Sequence, residues 1–151
     1  MKKIVLYICL CFVVGCSGYK PLFSLKNVNF YIQDIENLNG DRISNKIITG
    51  LKRFSEIRDS KNIYILKISS KKTDIVASKD SKGNPSVYKV SIITTVNVIL
   101  DGKSINKIYL QESFNYNNTS NKFDLNQYKK NIQNNLVDKI TERLILRLQN
   151  L

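Results

Sequence analysis

The 151-residue sequence predicts an α+β two-layer sandwich, in which two helices pack on one face of a four-stranded, mostly antiparallel sheet. Four segments carry apolar residues at period two, which is typical of half-buried strands. Two other segments carry apolar residues at three- and four-residue spacing, which is typical of amphipathic helices. Asp101-Gly102 is a strong signal for a two-residue hairpin turn. The predicted order is β-α-β-β-β-α, within one domain of residues 27–151.

The first strand and the first helix are predicted before residue 55. Residues 27–35 alternate between apolar and polar side chains, as a strand with one buried face does. The helix is predicted to open at Gly40-Asp41, with Asp41 as its N-cap. Gly50 inside this helix is unfavourable by about 1 kcal/mol relative to Ala. One apolar stripe faces the predicted core: Ile43, Ile47, Ile48, Leu51 and Phe54.

Three further strands are predicted between residues 62 and 116. Residues 62–70 form the second strand, and the polar, basic residues 71–86 are predicted to be a loop or a frayed hairpin end. The third strand is long and begins at Tyr88, and the fourth returns after the hairpin. Glu112 is the one polar residue on the apolar face of the fourth strand. Two interpretations remain open for it, a salt bridge at the edge of the core and a contact with a partner protein.

A long final helix is predicted after the Asn- and Ser-rich segment 117–122. Asp124 is predicted to cap this helix, and Gln127 completes a capping-box-like pair. The helix would have about 27 residues and a length near 40 Å. Its apolar stripe is Leu125, Tyr128, Ile132, Leu136, Ile140, Leu144 and Leu148.

The composition argues against an enzyme. The chain has no His, which excludes Ser–His–Asp catalysis, Cys–His catalysis and mixed Cys/His zinc sites. It also lacks the Gly-rich motifs that bind nucleotide phosphates. Asp34 and Glu36 could suggest a divalent cation, but solvated carboxylates are the favoured interpretation. We therefore expect no catalytic residue, no metal site and no cofactor.

The net charge suggests an anionic partner. The chain has 24 Lys and Arg against 12 Asp and Glu, which gives +12. A solvated surface accounts for most of these lysines. The more specific interpretations are nucleic acid, an anionic membrane surface or a phosphorylated glycolipid. Nucleic acid is disfavoured because the N-terminus, described next, directs the chain out of the cytoplasm.

The first sixteen residues resemble a bacterial lipoprotein signal. Lys2 and Lys3 precede the apolar run 4–14, which as a helix would reach only about 16 Å and is too short to span a bilayer. Residues 13–16, Val-Val-Gly-Cys, resemble a lipobox. We therefore predict a signal peptide at residues 1–15, lipidation of Cys16 and a tether at residues 16–26. An ordinary secretory signal with an incidental cysteine is the alternative.

The mature sequence resembles the LPS-assembly lipoprotein (LptE) family along its whole length. Cys16 is followed closely by Gly18-Tyr19-Lys20-Pro21-Leu22-Phe23, similar to the family's Cys-Gly-aromatic opening. Residues 88–98 are similar to its Tyr-then-Thr-Val-Asn strand, and residues 112–148 resemble its last strand and C-terminal helix. The chain lacks the acidic, Pro/Thr-rich tail of some members.

The resemblance implies a role in the cell envelope. Members of the family have a two-helix, four-stranded domain, lie in the lumen of the LPS-assembly outer-membrane β-barrel, act as its plug and assembly partner, and help to deliver lipopolysaccharide to the cell surface. It implies lipid anchoring on the periplasmic side of the outer membrane, and Ser17 in place of Asp favours that sorting. Two basic loop residues contribute to LPS binding in the family, and the matching positions are Lys82 or Lys79, and Lys122. A structural lipoprotein subunit of another envelope complex is the alternative, and an LPS-independent anionic-surface binder is a weaker one.

Overall fold

The computed structural model describes residues 28–56, 60 and 62–151. The predicted α+β class and the order β-α-β-β-β-α are confirmed. The strands are β1 (Phe30–Asn37), β2 (Asn62–Lys79), β3 (Pro85–Leu100) and β4 (Lys103–Asn117). The α-helices are α1 (Arg42–Leu51), which continues into a 3-10 turn (Lys52–Ser55), and α2 (Lys122–Gln149).

The sheet has the strand order β1-β2-β3-β4. β1 is parallel to β2, whereas the β2–β3 and β3–β4 pairs are antiparallel. Parallel neighbours need a crossover connection, and the segment that contains α1 supplies it. β1 and β4 are therefore the two edges, and the predicted mostly antiparallel sheet is confirmed.

Both helices pack on the same face of the sheet and enclose the core. The Phe30 ring lies 5.4 Å from the Phe54 ring and 6.0 Å from the Tyr64 ring, measured between centroids. These aromatic contacts pack the 3-10 turn against β1 and stabilise the parallel β1–β2 pair. Eleven of the fully buried apolar residues are Phe30, Ile32, Ile47, Leu51, Phe54, Tyr64, Leu66, Ile68, Ile92, Ile140 and Leu144.

Gly50 allows the two helices to approach closely. A Cβ atom at this position would lie 3.0 Å from Cγ2 of Thr141 on α2. The Thr141 hydroxyl in turn donates a hydrogen bond of 2.8 Å to the Val137 carbonyl, which fixes the side chain against its own helix. The unfavourable helix propensity of Gly50 is therefore offset by a contact that a larger residue would obstruct.

Residues 71–86, predicted to be a loop or a frayed hairpin end, form the paired end of the β2–β3 hairpin, so the loop interpretation is wrong and the hairpin end is not frayed. β2 continues to Lys79 and β3 begins at Pro85, so the connection is only residues 80–84. Residues 71–79 have no buried face and therefore no apolar alternation to reveal them. Their strand conformation depends on pairing with β3, from Lys71 opposite Ile93 to Lys79 opposite Pro85. Such pairing is a tertiary contribution, which intrinsic β-propensity does not report.

One predicted helix cap is confirmed and the other is wrong. The Asp41 carboxylate caps α1 by accepting hydrogen bonds from the backbone N–H groups of Ile43 (2.9 Å) and Ser44 (2.8 Å). α2 instead begins three residues before its predicted start, because Asn121 rather than Asp124 is its N-cap. The Asn121 side-chain oxygen accepts from the N–H groups of Phe123 and Asp124 at 3.1 and 3.3 Å. Asp124 lies in the first turn, where its negative charge interacts favourably with the positive end of the helix dipole.

The β3–β4 hairpin contains a bulge that sets the register of its core. Asp101 and Gly102 have φ values of 50° and 75°, as the predicted two-residue turn requires. Such a turn pairs even-numbered with odd-numbered residues, yet the buried apolar residues of both strands are even-numbered. The register shift beyond Ile99 inserts one extra residue, Ile105, into β4. Val96 consequently lies opposite Ile108, and the apolar residues of both strands face the helices.

Candidate functional site

The structure places the three lysines predicted to bind LPS at one end of the sheet. Lys79 is the last residue of β2, Lys82 lies in the β2–β3 turn and Lys122 is the first residue of α2. All three are exposed. This end, defined by Lys79, Lys82 and Lys122, is called the lysine end below. Lys79 and Lys122 begin or end regular elements rather than lie in loops, which corrects their predicted setting.

A network of hydrogen bonds around Asp80 shapes the turn that presents Lys82. The Asp80 carboxylate accepts from the backbone N–H of Asn84 at 2.8 Å and of Lys82 at 2.9 Å. Gly83 has a φ of +83°, which a residue with a side chain rarely adopts. The hydrogen bond from the Asn84 backbone is the main cause that lowers the pKa of Asp80 below its usual range, and those from Lys82 and Gly83 assist. The turn therefore has one preferred shape at neutral pH, with Lys82 at its tip.

Asn118 joins the loop before α2 to the start of β3. Its backbone N–H donates to the Ser86 carbonyl and its side-chain amide donates to the Pro85 carbonyl, both at 2.9 Å. The Lys122 ammonium makes longer hydrogen bonds to Asn118 Oδ1 (3.3 Å) and the Thr119 carbonyl (3.4 Å). Lys122 is therefore held beside the base of the β2–β3 turn, about 40 positions from Lys82 in sequence.

A fourth lysine, which the sequence did not single out, lies behind this end. The Lys129 ammonium lies 5.2 Å from the centre of the Tyr88 ring and 5.5 Å from that of Tyr116. The two rings are stacked with centroids 5.6 Å apart. The Tyr116 hydroxyl is buried and has no hydrogen-bond partner among the described residues. These cation–π contacts orient Lys129 and stabilise its positive charge. The cluster of Lys129, Tyr88 and Tyr116 depends on the strand register beyond the bulge, which places Tyr88 opposite Tyr116.

An apolar groove runs between β4 and α2. Its volume is about 400 Å³, and Phe114, Tyr128, Ile132 and Leu136 supply its apolar lining. The Phe114 and Tyr128 side chains are 44% and 47% exposed, so both are open to a ligand. Glu142 and Lys139 form part of the polar rim. Phe114 lies two residues before Tyr116 on the same side of β4, so the groove begins close to the Tyr88–Tyr116 cluster.

Glu112 has a partner within the chain. Its carboxylate forms an ion pair with the Arg143 guanidinium of α2, and Arg143 also donates to the Gln111 carbonyl. Of the two interpretations that the sequence left open, the salt bridge is therefore the one observed. Glu112 needs no group from another protein to compensate for its position on the apolar strand face.

The predicted lipidation site Cys16, the predicted tether at residues 16–26 and the predicted signal peptide lie outside the described residues. In residues 28–56, 60 and 62–151 there is no cluster of three or more Cys, Asp or Glu residues that could hold a metal ion. Over the same ranges, no helix has both the length and the apolar character needed to cross a bilayer.

Several solved structures of bacterial lipoproteins share this fold. The rare lipoprotein B of Shewanella oneidensis superposes with a TM-score of 0.58 at 15% identity, covering 80% of this chain and 97% of that one. The minor lipoprotein of Acinetobacter baumannii gives 0.60 at 11% identity, covering 82% and 92%. Lipoprotein B of Nitrosomonas europaea gives 0.60 at 10% identity, covering 87% and 90%.

At these identities the likeness shows the fold alone. No protein-family model and no curated protein sequence matches the chain. The two-helix, four-stranded architecture implied by the sequence resemblance is nevertheless confirmed, in a chain whose fold is similar to those of lipoproteins from three bacteria.

Proposed function

We propose that this protein is an outer-membrane lipoprotein that serves as plug and assembly partner of the LPS-assembly β-barrel and helps to deliver lipopolysaccharide to the cell surface. Cys16 carries its lipid anchor, the domain lies on the periplasmic side within the barrel lumen, and LPS contacts the lysine end. The protein acts by binding and positioning, without catalysis.

The observation that carries the proposal is the convergence of Lys79, Lys82 and Lys122. Lys79 ends β2, Lys82 lies in the β2–β3 turn and Lys122 begins α2. Hydrogen bonds of Asp80 and Asn118 hold the β2–β3 turn and the segment before α2 at one end of the sheet. Lysine ammonium groups bind phosphate through charge-assisted hydrogen bonds, which are stronger than neutral ones. Lipid A carries phosphates, so a group of exposed lysines on ordered turns suits that part of LPS.

The groove between β4 and α2 supports an amphiphilic ligand. Phe114 and Tyr128 offer exposed apolar surface close to Lys129, so cationic and apolar binding surfaces adjoin each other. LPS combines anionic groups with acyl chains, and one molecule can use both surfaces. The shared fold with bacterial lipoproteins and the lipobox at Cys16 support the same cellular setting.

Charge reversal tests the LPS-binding part of the proposal. The double variant Lys82→Glu, Lys122→Glu removes two ammonium groups, each worth about 1.5–3 kcal/mol when bound to phosphate. LPS affinity should fall at least tenfold, and thermal stability should change little because both side chains are exposed. The matched control is Lys52→Glu, Lys103→Glu, which changes the net charge equally at exposed positions away from the lysine end.

Equal losses in the two double variants would mean that net charge, rather than a site, governs binding. No loss in either variant would contradict LPS binding at the lysine end.

The cellular setting has its own test. In the bacterium that encodes the chain, Cys16→Ser should abolish lipid labelling and leave an unprocessed or soluble protein. The wild-type protein should co-extract with a large outer-membrane β-barrel. Co-extraction with an inner-membrane or peptidoglycan complex instead would favour a structural subunit of another envelope assembly.

A further inference from the structure

The face of the sheet opposite the helices is uncovered. Alternate residues of β2, β3 and β4 point away from the core, and rows of three neighbours cross the sheet there. One row is Lys71, Ile93 and Gln111, and the next is Ser69, Thr95 and Tyr109. These outward side chains of β2–β4 are called the open face below.

The open face exposes large apolar side chains in the middle of the sheet. Ile93, on the central strand β3, is 40% exposed, and Tyr109 on β4 is 65% exposed. Ile63 and Ile75 of β2 are 45% and 56% exposed on the same face. A β-branched residue at the centre of a sheet buries most of its surface only when a second layer covers it. Ile63 and Ile75 lie toward the two ends of β2, whereas Ile93 and Tyr109 are diagonal neighbours on β3 and β4. Adjoining exposed apolar side chains of this kind are typical of a contact surface.

The charge of the open face has one sign. β2, β3 and β4, all of which the structure describes, place Lys67, Lys71, Lys89 and Lys107 on it and no Asp or Glu. The neighbouring strand β1 places two carboxylates on the same side of the sheet, Asp34 opposite Ile65 and Glu36 opposite Lys67, and Glu36 pairs with Lys67 at 2.9 Å. Lys71, Lys89 and Lys107 have no carboxylate beside them on these strands, although the Lys107 ammonium lies 5.4 Å from the centre of the Tyr109 ring.

The polar groups between these lysines favour a protein as the occupant. A groove of about 410 Å³ on this face is lined by Lys67, Lys107, Ser69, Thr95, Asn97 and Ser104. Its hydroxyl and amide groups can both donate and accept hydrogen bonds, as a protein surface requires. A second copy of this chain is disfavoured, because two open faces in contact would bring lysines against lysines.

We propose that the open face docks on a protein surface that carries Asp or Glu side chains, which pair with Lys71, Lys89 and Lys107 around the exposed Ile93 and Tyr109. This inference rests on the proposed function, since it takes the partner to be the β-barrel and the acidic surface to be part of its inner wall. The helix face would then be directed away from that acidic surface.

Site-specific cross-linking in cells of the encoding bacterium tests the orientation. A photo-reactive residue replaces Lys71, Ile93 or Tyr109 in the full chain, and control positions are the exposed Thr49 of α1 and Lys130 of α2. Barrel adducts should form from the open-face positions at yields at least fivefold above those from the helix positions. Equal yields from both sets, or higher yields from the helices, would overturn the inference.

Charge reversal supplies the second measurement. The triple variant Lys71→Glu, Lys89→Glu, Lys107→Glu should lower co-extraction of the barrel about tenfold, because like charges would then face each other. The matched triple variant Arg42→Glu, Lys52→Glu, Lys130→Glu, at exposed helix-side positions, should keep it. Thermal unfolding of both variants confirms that each remains folded. Retention of the barrel by the open-face variant would overturn the inference.

The other occupants give different results. Binding of the wild type, but not of the open-face variant, to phosphatidylglycerol vesicles rather than to the barrel would assign this face to a membrane and overturn the inference. A dimer in sedimentation that the open-face variant abolishes would assign it to a second copy. If the wild type extracts no barrel, the proposed function fails together with the inference. If the wild type extracts the barrel but the open-face and helix positions give equal yields of cross-linked adduct, only the inference fails.

Discussion

The two faces of the sheet differ in what covers them, and neighbouring residues of one strand show the difference. Ile92 is fully buried under the helices, whereas Ile93 is 40% exposed on the open face. The two side chains are chemically identical and adjacent in sequence. Alternation along β3 separates them onto two faces, but the packing of α1 and α2 decides which one enters the core.

The faces also differ in how their polar groups are satisfied. On the covered face, Ser44 of α1 donates to the Ser70 hydroxyl at 3.0 Å, and Ser70 shares a second 3.0 Å hydrogen bond with Thr94. All three residues are buried, so the domain satisfies their hydroxyls internally. On the open face, three lysines have no carboxylate beside them on β2–β4. The buried hydroxyls of Ser44, Ser70 and Thr94 are therefore satisfied within the domain, whereas the open face presents exposed lysines without carboxylate partners on its own strands.

The largest expected difference between the faces is in stability. Ile92→Ala removes buried methyl groups and leaves a cavity, so the free energy of unfolding should fall by about 2–5 kcal/mol. Ile93→Ala should lower it by less than about 1 kcal/mol, because the side chain is partly solvated already. Urea unfolding followed by circular dichroism measures both. Similar losses in the two variants would mean that something in the isolated domain covers the open face.

The buried hydroxyl chain is the next largest effect. Thr94→Val keeps the side-chain shape but removes the hydrogen bond to Ser70, and should destabilise the domain by about 1 kcal/mol. Thr95→Val, at the adjacent position on the open face, is the matched control and should change stability by no more than about 0.5 kcal/mol. If Thr94→Val left the free energy of unfolding unchanged, the hydrogen bond between Ser44 and Ser70 would be sufficient to satisfy these buried hydroxyls without Thr94.

The ion pair between Glu112 and Arg143 is a smaller contribution. A double-mutant cycle with Glu112→Gln and Arg143→Gln should give a coupling energy of about 0.5–1 kcal/mol. The Arg143 side chain is about half exposed, and solvent screening limits the energy of the pair. The coupling should decrease at high salt. A coupling near zero would leave the position of Glu112 on the covered side unexplained by the domain itself.

The smallest effect is local to the lysine end. Asp80→Ala should speed hydrogen exchange of the Lys82 and Asn84 amides, with little change in global unfolding. Because hydrogen bonds lower the pKa of Asp80 in the folded state, the ionised carboxylate stabilises the folded turn at pH values above the pKa of Asp80 in the unfolded chain. The contribution disappears as pH falls through the folded pKa. Amide chemical shifts of Lys82 and Asn84 should therefore titrate in acid in the wild type but not in the variant.

The sequence by itself determined the features that depend on near neighbours. The Asp41 cap, the Asp101-Gly102 turn and the apolar stripes of both helices each arise from interactions within a few residues. Each is present as predicted, except that Tyr128, assigned to the stripe of α2, is 47% exposed. The bulge in the β3–β4 hairpin was not predicted, although the buried apolar residues of both strands are even-numbered around a two-residue turn. Alternation and turn geometry together require one extra residue.

The candidate site was predictable only in part. Lys79, Lys82 and Lys122 could be named from the family resemblance, but their approach to one end of the sheet depends on hydrogen bonds between distant segments, such as Asn118 to Pro85. Lys129 carried no local signal, because its role comes from two tyrosines on other elements. When the partners of a residue are distant in sequence, the residues around it carry no local motif from which its role could be predicted.

Tertiary structure alone decided the length of β2, the use of Gly50 and the coverage of the sheet. Residues 71–79 are strand because β3 pairs with them, and Gly50 is retained in α1 because Thr141 lies against it. Ile92 and Ile93 have the same intrinsic preferences, and only the position of the helices distinguishes them. The physical reason is that burial and strand pairing are set by contacts between distant segments, whereas turns, caps and periodicity are set within a few residues.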